Sequence, residues 1–162
     1  MTVALYNIRS AWNVGSIFRS CDALGMDIIL VGYTPKPVGN TLPLIKKTSI
    51  GAEKTVSWES FDHHQEVFEK YNKSTHLAIE ITKDSKDIFE YLNGLKKDEN
   101  NFENTIIWFG NEIHGVPEEV CNLCKHSLHL PMVGTKESLN VANTVTSTGY
   151  LFAFCDSMKN HQ

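Results

Sequence analysis

The sequence predicts an α/β fold with a mostly parallel sheet and helices on its faces. Short, continuous apolar runs such as Asp27-Ile28-Ile29-Leu30-Val31 and Thr105-Ile106-Ile107-Trp108-Phe109 have the character of strands buried on both sides. Between such runs lie segments with apolar residues at helical spacing, clearest in Val14, Ile17, Phe18, Cys21 and Leu24. The two kinds alternate along the chain, the pattern of a layered sheet whose strands are joined by helical crossovers.

Taken in order, Val3 to Tyr6 is a short apolar strand, and Ala11 to Leu24 is a helix. Asp27 to Val31 is a strand stopped by Gly32, and Thr34-Pro35-Lys36-Pro37 is an irregular loop. Leu42 to Lys47 reads as a short helix and Thr55 to Trp58 as a strand. Phe61 to Tyr71 is helical by its Phe61, Val67, Phe68 and Tyr71 pattern. His76 to Ile81 is a strand, Ser85 to Leu95 a helix, and Lys96 to Glu103 a polar loop. Thr105 to Phe109 is a central strand. Pro117 suits the first turn of a helix running to about Cys124. Ser127 to Leu130 is the last strand, and Leu139 to about Met158 the last helix. No repeat, low-complexity tract or linker divides the chain.

The 162 residues suit one domain, and 41% hydrophobic with 21% charged residues is an ordinary globular composition. No run approaches the roughly 20 apolar residues of a membrane span. Met1 to Tyr6 has no basic region, apolar stretch and cleavage site, so a cytoplasmic protein is expected. The net charge of -4 argues against a surface that is basic throughout, as phosphate binders usually are. It leaves room for a local patch, for which Arg9, Arg19, Lys46, Lys47 and Lys54 are candidates. Cys21, Cys121, Cys124 and Cys155 form no disulfide framework. Cys121, Cys124, His126 and His129 are zinc-ligand types, but crowd into one stretch where zinc sites usually place ligand pairs on separate elements. Buried thiols on a helix end and strand are the plainer reading, and no metal is expected.

Ligands of parallel α/β sheets sit outside the carboxyl ends of the strands. That directs attention to the loops after Ile81, Phe109 and Leu130. In Gly110-Asn111-Glu112-Ile113-His114-Gly115, two glycines bracket an acid and polar side chains, which allows close backbone approach. A plain strand-to-helix turn would also suit them. In the loop running from Pro131 to Asn140, Ser138 is a candidate N-cap for the last helix, which leaves Asn140 unexplained inside it. Asn13 to Gly15 could begin the first helix and present amides to an anion. Arg19 sits among apolar residues at the wet edge of that helix. His63 and His64 read as solvated residues of a polar helix start. Dinucleotide, phosphate-loop and nucleophile-elbow motifs are absent.

Three segments together resemble the three motifs of the SpoU/TrmH family of SPOUT RNA ribose 2'-O-methyltransferases. The first runs from Asn7-Ile8-Arg9-Ser10-Ala11-Trp12-Asn13-Val14-Gly15 through Ser16-Ile17-Phe18-Arg19 to Gly25. The second is Ile107-Trp108-Phe109-Gly110-Asn111-Glu112-Ile113-His114-Gly115-Val116. The third is Leu130 to Val141, with Glu137-Ser138-Leu139-Asn140 at its end. Gly32-Tyr33-Thr34-Pro35 and Lys47-Thr48-Ser49-Ile50-Gly51-Ala52-Glu53 resemble a subgroup of short members. Ser10-Ala11-Trp12 stands where many members have an Asp-Pro pair, and Asn143 is unusually polar for its place.

The resemblance implies a parallel α/β sheet with a deep C-terminal trefoil knot, in a single domain over 1–162 without an RNA-binding extension. It implies S-adenosylmethionine as cofactor, with S-adenosylhomocysteine as product, held by Ile79, Glu80, Gly110, Leu130, Met132, Ser138 and Leu139. It implies methyl transfer to a ribose 2'-hydroxyl of tRNA or rRNA. Arg19 would act at the ribose and its phosphate, with Asn13, Glu112 and Asn140 orienting the ribose and Arg19. Family members work as homodimers, and Ala142, Thr146, Gly149 and Ala153 form a small-residue stripe that fits either a partner helix or packing within the subunit. Two alternatives stay open: a non-catalytic RNA- or cofactor-binding module of the same fold, and a SPOUT enzyme methylating an RNA base.

Overall fold

In the computed structural model, residues 1–95 and 101–155 are described. Seven strands form one sheet: β1 (Thr2–Tyr6), β2 (Asp27–Val31), β3 (Trp58–Phe61), β4 (Thr75–Ile79), β5 (Lys86–Asp87), β6 (Thr105–Phe109) and β7 (His126–His129). Their spatial order is β3-β2-β1-β6-β4-β7-β5, and every pairing is parallel. The helices are α1 (Ala11–Leu24), α2 (Leu42–Ser49), α3 (His64–Lys70), α4 (Ile88–Gly94), α5 (Glu118–Leu123) and α6 (Val141–Ala153). The α/β class and the parallel sheet are as the sequence predicts.

All five residues of β6 are buried, because helices cover both faces of the sheet. One apolar cluster joins Leu5, Ile28, Leu30, Leu77 and Ile107 to residues of α1, α2, α4 and α6. The other joins Ala4, Ile29, Ala78 and Trp108 to Val67 of α3 and Val120 of α5. Alternation along each strand sends successive side chains to opposite clusters.

Local chemistry sets the ends of α1. The Ser10 hydroxyl accepts from the Asn13 N–H, and Gly25 adopts a left-handed conformation at φ 63 that closes the C-terminus. The helix therefore starts before Asn13 and Gly15. Gly15 instead marks the crossing of α1 and α2, where a Cβ would lie 2.2 Å from Thr48 Oγ1 and 2.3 Å from the Ile45 carbonyl oxygen.

Several boundaries differ from expectation. β3 begins at Trp58, because Val56 turns inward after a short 3-10 turn. α3 begins at His64, which is buried against Tyr6 and Phe68 rather than solvated; His63 is exposed. Lys86–Asp87 is a short edge strand, and the Asp87 carboxylate caps α4 by accepting from the Phe89 N–H at 2.7 Å. The last helix starts at Val141, with Asn140 as its N-cap: the Asn140 Oδ1 accepts from the N–H groups of Ala142 at 2.9 Å and Asn143 at 3.4 Å. Asn140 is thus placed where asparagine is favoured, and Ser138 makes no cap. The expected continuation to Met158, and most of the Lys96–Glu103 loop, lie outside the described residues.

The small stripe of α6 packs within the chain. Thr146 Oγ1 is 2.7 Å from Ser20 Oγ on α1, and Gly149 lies against Leu24 and Met26. Ala142 is buried in the main cluster, while Ala153 is exposed.

A buried histidine on the other face makes stability depend on pH. His76 Nδ1 accepts from Trp108 Nε1 at 3.0 Å, and its Nε2 lies 3.0 Å from the Tyr71 carbonyl oxygen, an arrangement that suits the neutral ring. Burial pushes His76 below the ordinary 6.5, against the bond to Tyr71, which raises it. The folded value is below the unfolded one, so the unfolded chain binds the proton first as pH falls. Stability is complete above about 6.5 and is lost as pH drops through the folded value. The melting temperature is expected to fall between about pH 7.5 and about pH 5.5, and less so in a His76→Gln variant. Melting curves at the two pH values check this, and equal slopes in both proteins would contradict it.

Candidate active site

The carboxyl ends of β4, β6 and β7 open into one cavity of about 510 Å³. Ile79 and Glu80 enter from β4, Phe109 to Gly115 from β6, and Leu130, Met132 and Glu137 to Val141 from the chain after β7. All seven residues assigned to the cofactor, Ile79, Glu80, Gly110, Leu130, Met132, Ser138 and Leu139, line this cavity, as do Glu112 and Asn140. Residues more than 60 positions apart in sequence, such as Ile79 and Val141, meet because β4 sits between β6 and β7 in the sheet.

Two glycines let the loops close. A Cβ on Gly110 would lie 1.9 Å from the Gly115 carbonyl carbon and 2.1 Å from the Val116 nitrogen, so the β6 loop folds back on itself only with glycine there. Asn111 and Gly115 exchange backbone hydrogen bonds, 3.1 Å from the Asn111 N–H and 2.8 Å from the Gly115 N–H. Glu80 ties this loop to β4. Its Oε2 accepts from the Val116 N–H at 2.7 Å and its Oε1 from the Ile81 N–H at 3.0 Å.

Glu112, Asn13 and Asn140 form a connected chain. The Glu112 carboxylate accepts from the Arg9 N–H at 2.9 Å, the Ser10 N–H at 3.2 Å and Asn13 Nδ2 at 2.9 Å. Asn13 Oδ1 in turn accepts from Asn140 Nδ2 at 3.2 Å. Partial burial pushes the Glu112 carboxyl upward, but the donors from Arg9, Asn13 and Ser10 and its own backbone outweigh that and hold it below the usual carboxylate range. An ionised carboxylate so supplied with donors is a weak base and a firm orienting group.

Arg19 is not in this cavity. It lies on the exposed side of α1 and lines a neighbouring cavity of about 500 Å³ together with Lys47, Ser16, Ser20 and Asn143. The first turns of α6 separate the two: Asn140, Val141 and Thr144 face one, Ala142 and Asn143 the other. Of the expected basic patch, Arg19 and Lys47 share a cavity.

Sequence reasoning missed Asn111, which is buried. Its Nδ2 donates to the Asn7 carbonyl oxygen at 2.8 Å and to the Tyr33 hydroxyl at 2.6 Å, and its Oδ1 accepts from the N–H groups of Ile113 and His114. Its place between Gly110 and Glu112 was the available signal. Thr34 was also missed: its hydroxyl accepts from the Ile8 N–H and donates toward the carbonyl oxygens of Leu5 and Val31, pinning the loop that enters α1.

Among the described residues, no group of three or more His, Cys, Asp or Glu is placed to hold a metal ion. Burial pushes the Cys124 thiol up to about 12, with Cys121 adding to it, and burial raises Cys121 as well. His129 Nδ1 instead meets Ser85 Oγ at 3.0 Å, and His126 packs edge-on against Tyr91. No described helix is long and apolar enough to cross a membrane.

The profile described as the SpoU rRNA Methylase family matches residues 1–150. The tRNA (guanosine(18)-2'-O)-methyltransferase of Thermus thermophilus is 29% identical over 148 residues, covering 88% of this chain and 68% of the relative. The solved SpoU methyltransferase AviRb from Streptomyces viridochromogenes superposes with a TM-score of 0.80 at 23% identity, over 97% of this chain and 60% of that one. Its complex with AdoMet gives 0.79 at 22% identity, over 98% and 61%. A structure described as "Structural insights into the 2-OH methylation of C/U34 on tRNA" gives 0.80 at 22%, over 97% of this chain and 96% of that one. The chain thus spans about two thirds of the Thermus protein and less of AviRb.

Proposed function

From the chain's membership of the SpoU rRNA Methylase family, we propose that it transfers a methyl group from S-adenosylmethionine to a ribose 2'-hydroxyl of tRNA or rRNA, leaving S-adenosylhomocysteine. The observation that carries this reading is the meeting of three strand-end loops in one cavity whose rim holds the Glu112–Asn13–Asn140 chain. The Thermus relative is named for 2'-O-methylation of tRNA, and AviRb has been solved with AdoMet.

The residues present fit the cofactor. A cavity of about 510 Å³ lies within the usual size range of small-molecule sites. Its lining mixes apolar side chains with the carboxylates Glu80, Glu112 and Glu137 and with polar side chains such as Ser138 and Asn140, and it holds no Lys or Arg, a set that suits a cationic guest. We assign Ile79, Glu80, Gly110, Leu130, Met132, Ser138 and Leu139 to holding it, with Glu80 acting by fixing the loops. When bound, it supplies an electrophilic methyl group on a cationic sulfur.

The chain's own part is positioning and electrostatics. A guanidinium stays protonated near neutral pH, so Arg19 cannot take the hydroxyl proton. It holds the phosphate beside the ribose and stabilises negative charge growing on the 2'-oxygen, and that phosphate or a nearby group accepts the proton. Glu112, held ionised, orients Asn13, and Asn13 orients Asn140. Fixed orientation of the attacking oxygen is the larger share of the rate gain.

The same proposal takes residues 1–162 as one methyltransferase domain with the trefoil knot of its family, acting in the cytoplasm as a homodimer. Phe89, Leu139 and Tyr150 are exposed around a shallow apolar hollow floored by Leu130 and Leu151, a face suited to a second copy. With the small stripe of α6 used internally, this face is where the dimer contact is expected. Sedimentation at the mass of two chains checks it, and a monomer at tens of micromolar would overturn it.

The functional test has two arms. Calorimetry measures S-adenosylmethionine binding, and a labelled methyl donor with total RNA, followed by nucleoside mass spectrometry, measures transfer. Label in 2'-O-methyl nucleosides is expected. Label in a base, or binding without transfer across the whole RNA pool, would overturn the assignment.

A further inference from the structure

We infer that the exposed indole of Trp12 is a stacking platform for a nucleobase of the substrate RNA next to the methylated ribose, an assignment that rests on the RNA methyltransferase reading above. Trp12 lies in the first turn of α1, between buried Ala11 and partly buried Asn13. Its side chain remains 54% exposed. The backbone there is fixed: the Trp12 carbonyl oxygen accepts from Thr48 Oγ1 of α2 at 2.8 Å. A large aromatic side chain is therefore held on a rigid element and turned toward solvent, one residue from Asn13.

The charges around it point to RNA. Lys47 Nζ lies 5.7 Å from the centroid of the indole ring, within cation–π range. Lys47 and Thr48 of α2, which touch Trp12, both line the cavity of Arg19, which places the indole next to that cavity's wall. The lining of the Arg19 cavity holds two cations and several hydroxyl and amide groups but no carboxylate, whereas the cofactor cavity carries Glu80, Glu112 and Glu137. In a chain of net charge -4, this segregation sets an acidic hollow beside a cationic one. The cationic hollow matches a phosphate backbone, and an aromatic face beside it matches a base. Asn13, hydrogen-bonded to Glu112 and Asn140, links the platform to the transfer site. Stacking uses the π-face that every base has, so the contact adds affinity and register without reading sequence.

The test uses the full chain, with total RNA as the probe, in wild type, Trp12→Ala and Trp12→Phe. Trp12→Ala is expected to raise KM for RNA roughly tenfold, equivalent to ~1.4 kcal/mol, with kcat little changed. S-adenosylmethionine affinity should be unchanged, and Trp12→Phe should recover most of the RNA affinity. Adding RNA should quench tryptophan emission in the wild type, and this quenching should vanish in Trp12→Phe, which retains Trp58 and Trp108. An unchanged KM in Trp12→Ala with transfer intact overturns the inference and leaves the methyltransferase reading standing. So does a shift of Trp12→Ala toward monomer with RNA affinity per dimer unchanged, which would make Trp12 a contact between copies. A wild type that transfers no methyl to RNA removes the methyltransferase reading, and this inference with it.

Discussion

Replacing Arg19 with alanine is expected to lower methyl transfer to RNA by roughly 100- to 1000-fold, the usual cost of removing one group that stabilises developing charge. S-adenosylmethionine affinity should stay close to that of the wild type. The separation follows from geometry. Arg19 projects from the exposed side of α1 into the cavity it shares with Lys47, and it is absent from the lining of the cofactor cavity. Among the described residues, no hydrogen bond or ion pair engages its guanidinium, so truncation leaves no buried partner stranded and the fold should hold. Methyl transfer to total RNA and calorimetry with the cofactor are read together. A large loss of cofactor affinity would place Arg19 in the wrong hollow, and full transfer activity would remove it from the chemistry.

The Gly110→Ala variant should behave in the opposite way, losing the cofactor first. The added methyl carbon would lie 1.9 Å from the Gly115 carbonyl carbon and 2.1 Å from the Val116 nitrogen, both backbone atoms that no rotamer change can move. The β6 loop must open, which breaks the exchange of hydrogen bonds between Asn111 and Gly115 and pulls Val116 from Glu80. Overpacking of this kind costs about 1–3 kcal/mol, a fall of roughly 3–10 °C in melting temperature for a domain of this size. Because the displaced segment is a wall of the cofactor cavity, affinity for S-adenosylmethionine should fall at least about tenfold, a loss of ~1.4 kcal/mol. Gly94→Ala is the control: nothing lies within 4 Å of its Cβ position, so it should melt and bind like the wild type. Wild-type affinity in Gly110→Ala would show that the loop tolerates the methyl group and that its closure does not shape the site.

Much of the scaffold was legible in the residues. Strands such as β2 and β6 were found at their ends because four consecutive apolar residues bounded by turn formers admit few other readings. α1 was found over Ala11 to Leu24 from its apolar period, and the structure adds the Ser10 cap and the Gly25 stop that displace a start at Asn13 to Gly15. That the loops after β6 and β7 line one cavity was legible because a parallel sheet puts its crevice at the carboxyl ends of its strands. Short-range chemistry misled where two neighbours could each do a job. Ser138 and Asn140 are both good caps, and only the path of the chain after β7 gives the cap to Asn140. His64 reads as a surface residue until Tyr6 and Phe68 close around it.

By itself, the sequence determined the α/β class, the parallel sheet and segments such as α1, β2 and β6, since each depends on periodicity and turn chemistry within a few residues. Only the tertiary structure decided that Glu112 accepts from Asn13 across 99 residues and Asn13 from Asn140 across 127, that the small stripe of α6 packs against α1, and that Arg19 faces a different hollow from the one lined by Glu112 and Asn140. Those outcomes depend on which distant groups arrive within about 3 Å of one another, and hydrogen bonds of that length are set by packing of the whole chain rather than by local preference.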